Sequence, residues 1–164
     1  MNDHETKAVT CCFTGHRTID KHLLAVTNER IAAAVSWMYA RGYRRFIAGG
    51  ALGFDTYAAY HVLNFKKDHP DVELVLALPY KRRTFSDDPR SRITESADYV
   101  FYASNLYTPS CMHTRNRAMV ELSSACLCYL RQKSGGTAYT VDYAKKNGLE
   151  IYNLFSEDDL LLPK

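Results

Sequence analysis

Residues 46–55 read FIAGGALGFD, and this sequence joins a predicted strand to a predicted helix. A short apolar run ends at Ala48, a glycine-rich turn follows, and a helix is predicted from about Thr56 to Lys67. Glycine lets a ligand approach the backbone closely, and the amides at a helix N-terminus suit a phosphate. Two interpretations of this turn are open. Either the turn binds the phosphate of a nucleotide, or it is an ordinary strand-to-helix connection with Asp55 as the helix N-cap.

The rest of the chain alternates apolar, β-prone runs with helical patterns. Strands are predicted at residues 8–13, 45–48, 72–78, 98–102, 125–130 and 150–154, with helices at 20–41, 91–97, 112–123 and 138–147 besides the one already described. Continuously apolar strands alternating with helices predict an α/β fold: one Rossmann-like three-layer domain over residues 1–164, with a core at about 8–154. Its mostly parallel sheet is flanked by helices, and such a sheet binds ligands at the carboxyl ends of its strands.

The composition is that of an ordinary globular protein, with 164 residues and a formal net charge of +3. This charge suits an anionic small ligand and is too low to require nucleic acid as a partner. No apolar run approaches the roughly 20 residues that a membrane span needs. The first residues are polar and include Asp3 and Glu5, unlike a signal peptide. We therefore expect a cytoplasmic protein without a membrane partner.

The cysteines predict buried thiols. Their number is odd, no CxxC occurs, and four of the five lie in predicted strands; they are Cys11, Cys12, Cys111, Cys126 and Cys128. This pattern favours free thiols in a reducing compartment over disulfides or metal ligands. The six histidines show no zinc spacing, so neither a metal site nor a particular cofactor is predicted.

The candidate ligand-binding residues lie in loops that follow strands or in the segment after the fourth strand. Independent loops would rarely all carry glycine or arginine at such places, so we expect one shared cleft. The candidates are Gly15, His16 and Arg17; Gly49, Gly50, Ala51, Gly53 and Asp55 of the glycine loop (residues 49–55); Pro79; Arg115 and Asn116; and Ser134, Gly135, Gly136 and Thr137, here called the serine–glycine turn. The last group is predicted to be a second anion-binding turn before a helix.

Several of these side chains have two roles open to them. Arg17 either neutralises a phosphate or pairs with a surface acid, and His16 either contacts the ligand or has a structural role. Asp55 either caps the helix or accepts hydrogen bonds from ribose hydroxyls. Arg115 is a planar fork suited to phosphate or carboxylate, whereas Arg117 is expected to face elsewhere on the same helix. The polar, basic loop at residues 80–91 is either a flap over the site or a plain surface excursion.

Four segments in the same order resemble the DprA/Smf family of DNA-processing proteins. The pattern GxAxGxDxxA at residues 49–58 resembles that family's glycine loop, and GHR at 15–17 is similar to its GSR turn. RNR at 115–117, followed by LS at 122–123, is similar to its RNR…LS segment, and SGGT at 134–137 falls where that family has a serine–glycine turn. The resemblance covers most of the chain.

The small YpsA-like members of the same SLOG superfamily resemble the chain more closely. The runs AGGALGFD, HPDVELVLALPYKRR, ADYV and SGGTAYTVDYAKK are all similar to that group. The resemblance implies a Rossmann-like domain that binds, and in signalling would sense, a nucleotide or nucleotide-derived molecule such as a mononucleotide or an ADP-ribose-like compound. It is also compatible with a homodimer.

The superfamily also includes the lonely-guy phosphoribohydrolases. MHTR at residues 112–115, with Met119 and LS at 122–123, is similar to their MHxRxxxMxxLS segment. Their PGGxGTxxE loop carries a glutamate that serves catalysis, but AYT follows Thr137 here, so Asp55 or Asp142 would have to replace it. The sequence therefore favours ligand binding without chemistry over nucleotide hydrolysis. DprA-like binding of single-stranded DNA ranks third because the net charge is low.

Overall fold

The computed structural model describes residues 3–81 and 88–155. Its strands are β1 (Thr10–Gly15), β2 (Arg45–Ala48), β3 (Glu73–Leu78), β4 (Tyr99–Tyr102), β5 (Ala125–Tyr129) and β6 (Glu150–Asn153). Its α-helices are α1 (Asp3–Ala8), α2 (Leu24–Ala40), α3 (Phe54–Lys66), α4 (Pro89–Ser96), α5 (Cys111–Glu121) and α6 (Gly136–Lys146), and a 3-10 turn (Lys21–Leu23) precedes α2. Half of the predicted basic loop, residues 82–87, lies outside the described residues.

The six strands form one parallel sheet in the order β4-β3-β2-β1-β5-β6. The predicted α/β, Rossmann-like fold with helices on both faces is therefore confirmed. The chain runs outward from β1 through β2, β3 and β4, then returns to the other side of β1 as β5. The strand order thus reverses between β1 and β5, and such a reversal opens a crevice at the carboxyl ends of the two strands.

Two apolar layers cover the two faces of the sheet. Alternate strand residues point to opposite faces, so neighbours such as Cys11 and Cys12 belong to different layers. One layer packs Phe13, Phe46 and Leu74 against α2 and α3, and the other packs the opposite-facing residues against α5 and α6. All five cysteines are buried and free, as predicted. In the two stretches that the structure describes, no helix has the length and apolar character needed to cross a membrane.

Several boundaries differ from the prediction. The prediction contains no counterpart of α1, and α6 begins at Gly136, inside the predicted serine–glycine turn. The helix predicted from residue 20 begins four residues later, at Leu24, and the Asp20 carboxylate makes an ion pair with Arg131 without capping it. Gly42 and Gly148, both with positive φ, follow the ends of α2 and α6.

The loops after β1 and β2 interlock at Gly53. The amide of Phe54 donates a hydrogen bond to the carbonyl oxygen of His16 at 3.1 Å. A Cβ atom on Gly53 would lie 2.3 Å from the carbonyl oxygen of Arg17, and Gly53 has a φ of +76°. Glycine is therefore required twice over, by the close approach and by the backbone conformation. This contact fixes two of the predicted ligand-binding loops against each other.

Gly53→Ala should destabilise the protein far more than Gly148→Ala. Gly148 has a similar φ of +75°, but nothing lies within 4 Å of a Cβ added there. We expect Gly148→Ala to lower the free energy of unfolding by about 1 kcal/mol, the cost of a left-handed alanine. Gly53→Ala should lower it by about 3 kcal/mol or more, because backbone must also shift. Urea denaturation followed by Trp37 fluorescence measures both, and equal losses would contradict the interlock.

Candidate functional site

A cleft runs along the carboxyl edge of the sheet and has two parts. The switch-point compartment, a cavity of about 420 Å³, lies at the ends of β1 and β5. The apolar compartment, of about 180 Å³, lies at the ends of β2, β3 and β4. Both are lined by Arg17, Ala51, Met112 and Arg115, so the two compartments adjoin each other.

The structure brings almost all the predicted site residues to this cleft. The switch-point compartment is lined by Gly15, His16, Arg17, Ala51, Asp55, Arg115, Asn116, Ser134, Gly135, Gly136 and Thr137. Gly49, Gly50 and Pro79 line the apolar compartment. Gly53 does not line either compartment, because it packs against the backbone of Arg17. Arg117 is exposed and lies outside the cleft, as expected from its spacing.

Sequence reasoning missed part of the lining. Gln132 and His113 border the switch-point compartment, and Arg90, Thr94 and Tyr102 border the apolar one. The MHTR segment was a signal for His113, because it drew attention to that turn of α5. Arg90 belongs to the basic loop predicted at residues 80–91, for which a flap over the site was one interpretation. No pattern pointed to Thr94, because α4 does not follow a strand directly.

Arg115 is buried, with 5% of its surface exposed, and ties two strand ends together. Its Nη1 donates to the carbonyl oxygens of Gly49, just after β2, and Ala77 in β3, the latter at 3.4 Å. Its Nε donates to the side-chain oxygen of Asn116 at 2.6 Å. Burial lowers the pKa of Arg115, and the nearby Asp55 charge partly offsets this. Most of the fork predicted to bind ligand is therefore engaged with the protein itself, and Nη2 is the nitrogen without an oxygen acceptor among the described residues.

Asp55 does not cap α3, so the first of its two open roles is wrong. The helix begins at Phe54, two residues before the predicted start, with Gly53 at the cap position, and Asp55 lies within its first turn. From there its carboxylate turns back and accepts a hydrogen bond from the Ala51 amide at 3.4 Å. Burial raises the pKa of Asp55 to about 6, while Arg115 and the amides of Ala51 and Gly49 lower it in part.

The glycine loop thus encloses an anion of its own. The Ala51 amide bonds to Asp55, and the Phe54 amide at the start of α3 bonds to the carbonyl of His16. A phosphate placed here would meet an ionised carboxylate above pH 6, and amides already in use. These contacts disfavour the glycine loop as the phosphate cradle.

The serine–glycine turn has the opposite character. The first hydrogen bond within α6 runs from the Tyr139 amide to the Gly135 carbonyl, so the amides of Gly136, Thr137 and Ala138 have no acceptor in the helix. Within residues 3–81 and 88–155 no side chain caps this end, and a Cβ atom on Gly135 or Gly136 would meet nothing within 4 Å. The turn therefore presents backbone amides and a partial positive charge to the open switch-point compartment.

The side chains of Arg17 and His16 line the same compartment as this turn. Arg17 is exposed, and within the described chain its side chain makes no hydrogen bond or ion pair. His16 has the structural role of the two that were open: its Nε2 accepts from the amides of Arg131 and Gln132 at 2.9 and 3.3 Å. Accepting at Nε2 places the ring proton on Nδ1, and burial, followed by the Arg131 charge, lowers the pKa of His16. His16 thereby holds the segment that leads into the serine–glycine turn.

Comparison with known proteins assigns the chain to a family. The YpsA family model, described as the YspA SLOG family, matches residues 11–156. The chain belongs to this family. The SLOG resemblance inferred from the short motifs is thereby confirmed.

Relatives of this SLOG protein occur in several bacilli. The SPbeta prophage-derived protein YoqJ of Bacillus subtilis (strain 168) is 31% identical over 144 residues, covering 77% of this chain and 80% of YoqJ. A UPF0398 protein of Bacillus cereus (strain G9842) is 30% identical over 129 residues, covering 71% of this chain and 70% of that protein. These similarities agree with the family assignment.

The structure of DNA processing protein A from Helicobacter pylori, reported for its single-stranded DNA binding mode, shares the fold of this SLOG protein. It superposes with a TM-score of 0.63 at 15% sequence identity. The alignment covers 91% of this chain and 66% of the Helicobacter pylori chain. At this identity the likeness concerns the fold alone.

The buried carboxyl predicts a pH-dependent stability. An ordinary aspartate has a pKa of 3.8, whereas the pKa of Asp55 in the folded protein is about 6, so between these values the folded protein keeps a proton that the unfolded chain has lost. Wild-type stability should therefore fall as pH rises through this window, whereas Asp55→Asn removes the titration. From pH 4 to pH 7 the unfolding free energy of Asp55→Asn, relative to wild type, should rise by up to about 3 kcal/mol.

Denaturant titrations of both proteins at several pH values measure this difference. Asp142→Asn, which removes an exposed carboxylate on α6, is the matched control. A trend of the same size in the control, or no trend in Asp55→Asn, would contradict the assignment to the buried carboxyl.

Proposed function

We propose that the cleft binds a nucleotide or a nucleotide-derived ligand, with a phosphate at the serine–glycine turn. The observation that supports this proposal is that hydrogen-bond donors without an acceptor among the described residues line one cavity. The amides of Gly136 and Thr137 border the same switch-point compartment as the guanidinium of Arg17, which has no partner in the part of the chain that the structure describes. Amides at a helix N-terminus together with arginine are a recurrent way of holding phosphate.

The position of Asp55 orients the ligand. Its carboxylate lines the same compartment and is ionised at neutral pH, so it repels phosphate but accepts hydrogen bonds from hydroxyl groups. The phosphate therefore belongs at the serine–glycine turn, and the sugar hydroxyls belong toward Asp55. A volume of about 420 Å³ lies within the range of small-molecule sites. Binding, without chemistry, is the function that this arrangement supports best.

Titration calorimetry with AMP, ADP-ribose and ribose 5-phosphate tests the proposal. Arg17→Gln should weaken phosphate-bearing ligands about tenfold or more, because one charge-assisted contact is lost. Arg117→Gln makes the same charge change on the exposed side of α5 and should leave the affinity within about twofold. A folded wild-type protein that binds none of the ligands, or equal losses in both variants, would overturn it.

Hydrolysis of the N-glycosidic bond of a nucleotide is the second candidate function. The observation that favours it is a cleft carboxyl whose pKa of about 6 suits an acid–base group. Of the two carboxylates that could replace the missing glutamate, Asp55 lines the cleft, whereas Asp142 is exposed and lies outside it. In this reaction water adds across the bond and the products are the free base and ribose 5-phosphate.

Chromatographic detection of free base after incubation with AMP distinguishes the two functions. For an enzyme, Asp55→Asn should abolish base release while nucleotide binding stays measurable, because the asparagine side chain still offers an acceptor to the sugar hydroxyls. Intact AMP after prolonged incubation with wild-type protein that binds it would reject hydrolysis of this nucleotide and leave binding as the function.

A further inference from the structure

The apolar compartment differs in chemistry from the switch-point compartment beside it. Much of its wall is hydrophobic or aromatic, comprising Leu52, Leu78, Pro79, Tyr80, Tyr102 and Met112. Two of these are well exposed for residues of their kind, Leu52 at 54% and Tyr102 at 40%. Large apolar side chains that border a concave surface are typical of ligand sites.

The charged groups of this compartment are largely compensated. The Asp88 carboxylate pairs with the guanidinium of Arg90 through both Nε and Nη2. Arg115 is engaged with backbone carbonyls, as described above. Arg17 is the cation of the described lining that remains without a partner, and it also borders the switch-point compartment, where the amides of the serine–glycine turn lie. A phosphate is therefore better placed there than among the apolar side chains of this compartment, where it would lose its water.

Hydrogen-bonding capacity remains at one edge of the compartment. The Nη1 group of Arg90 has no acceptor among the described residues. The hydroxyl of Thr94 donates to the carbonyl of Arg90 at 2.8 Å and keeps its lone pairs as acceptors. An apolar cavity with one donor and one acceptor at its edge suits a flat heteroaromatic ring.

The glycine loop and the end of β3 form one narrow side of this cavity. A Cβ atom on Gly50 would lie 2.4 Å from a methyl carbon of Leu78, so the glycine loop and the end of β3 meet without a side chain between them. A cavity of about 180 Å³ is smaller than a typical site for a whole ligand. It therefore fits one part of a molecule whose remainder lies in the neighbouring compartment.

We propose that the apolar compartment receives the heteroaromatic base of a nucleoside phosphate whose phosphate lies at the serine–glycine turn. The inference rests on the proposed function and assigns the direction of the ligand in the cleft. The molecule crosses Arg17 and Ala51, which line both compartments, and its base contacts Leu52 and Tyr102.

The test compares AMP, GMP, CMP and UMP with ribose 5-phosphate, which lacks a base. At least one nucleotide should bind about tenfold more tightly than ribose 5-phosphate, since contact with an aromatic ring contributes about this much. Tyr102→Ala and Leu52→Ala should remove this advantage and leave the affinity for ribose 5-phosphate unchanged. The matched controls are Tyr99→Ala, an exposed tyrosine on the same strand, and Leu122→Ala, an exposed leucine at the end of α5; both should retain it.

The outcomes separate the two proposals. A base advantage that persists in Tyr102→Ala and Leu52→Ala, or no advantage in wild type, overturns the base assignment and leaves phosphate binding intact. If no phosphate-bearing ligand binds, the proposed function fails, and titration with free adenine then tests whether the apolar compartment binds a base. Adenine should shift the amide NMR signals of Leu52 and Tyr102, and Tyr102→Ala should reduce the shifts of the other residues that line the compartment. The absence of these shifts would overturn the base assignment.

Discussion

The guanidinium of Arg115 is the interaction on which the geometry of the cleft depends. A buried cation must be matched by acceptors, because its hydration is lost. Here the matching groups are the carbonyls of Gly49 and Ala77 and the charge of Asp55, contributed by β2, β3 and α3. Meeting this electrostatic requirement holds three elements at one point. The same residue lines both compartments, so the groups that satisfy its charge also fix the point at which the two compartments meet.

The glycine loop and the serine–glycine turn have different roles. The glycine loop makes contacts within the protein: Gly53 packs on the neighbouring loop and the Ala51 amide donates a hydrogen bond to Asp55. In the serine–glycine turn, Gly135 and Gly136 face open space. Both segments look like anion sites in the sequence because glycine before a helix is the pattern in each. What separates them is whether a carboxylate has already taken the amides.

Much of the fold was predictable because the strands are short, apolar and separated by helical patterns. The bounds of β2 agree with the prediction, and the order of elements in the chain implied the carboxyl edge where the site residues meet. The role of Asp55 was not predictable, because the sequence does not show whether a carboxylate near the start of a helix is the cap residue or lies two residues after it. Nor was the burial of Arg115, because the carbonyls that bind it converge only after the strands have paired. The apolar character of the second compartment was not predicted for a related reason: Arg90 and Thr94 of its wall belong to α4, which reaches the cleft only when the chain has folded.

The thiols inside the sheet carry a consequence for its dynamics. Cys12 and Cys126 are neighbours across β1 and β5, and Cys128 lies two residues further along β5. A hydrogen bond with Cys12 and burial raise the pKa of Cys126, and burial raises that of Cys128 to about 12. Alkylating reagents attack the thiolate, so these sulfurs stay inert until the two central strands part. The rate at which these cysteines are alkylated therefore reports how often β1 and β5 separate. A molecule that bridges the ends of those strands would lower this rate.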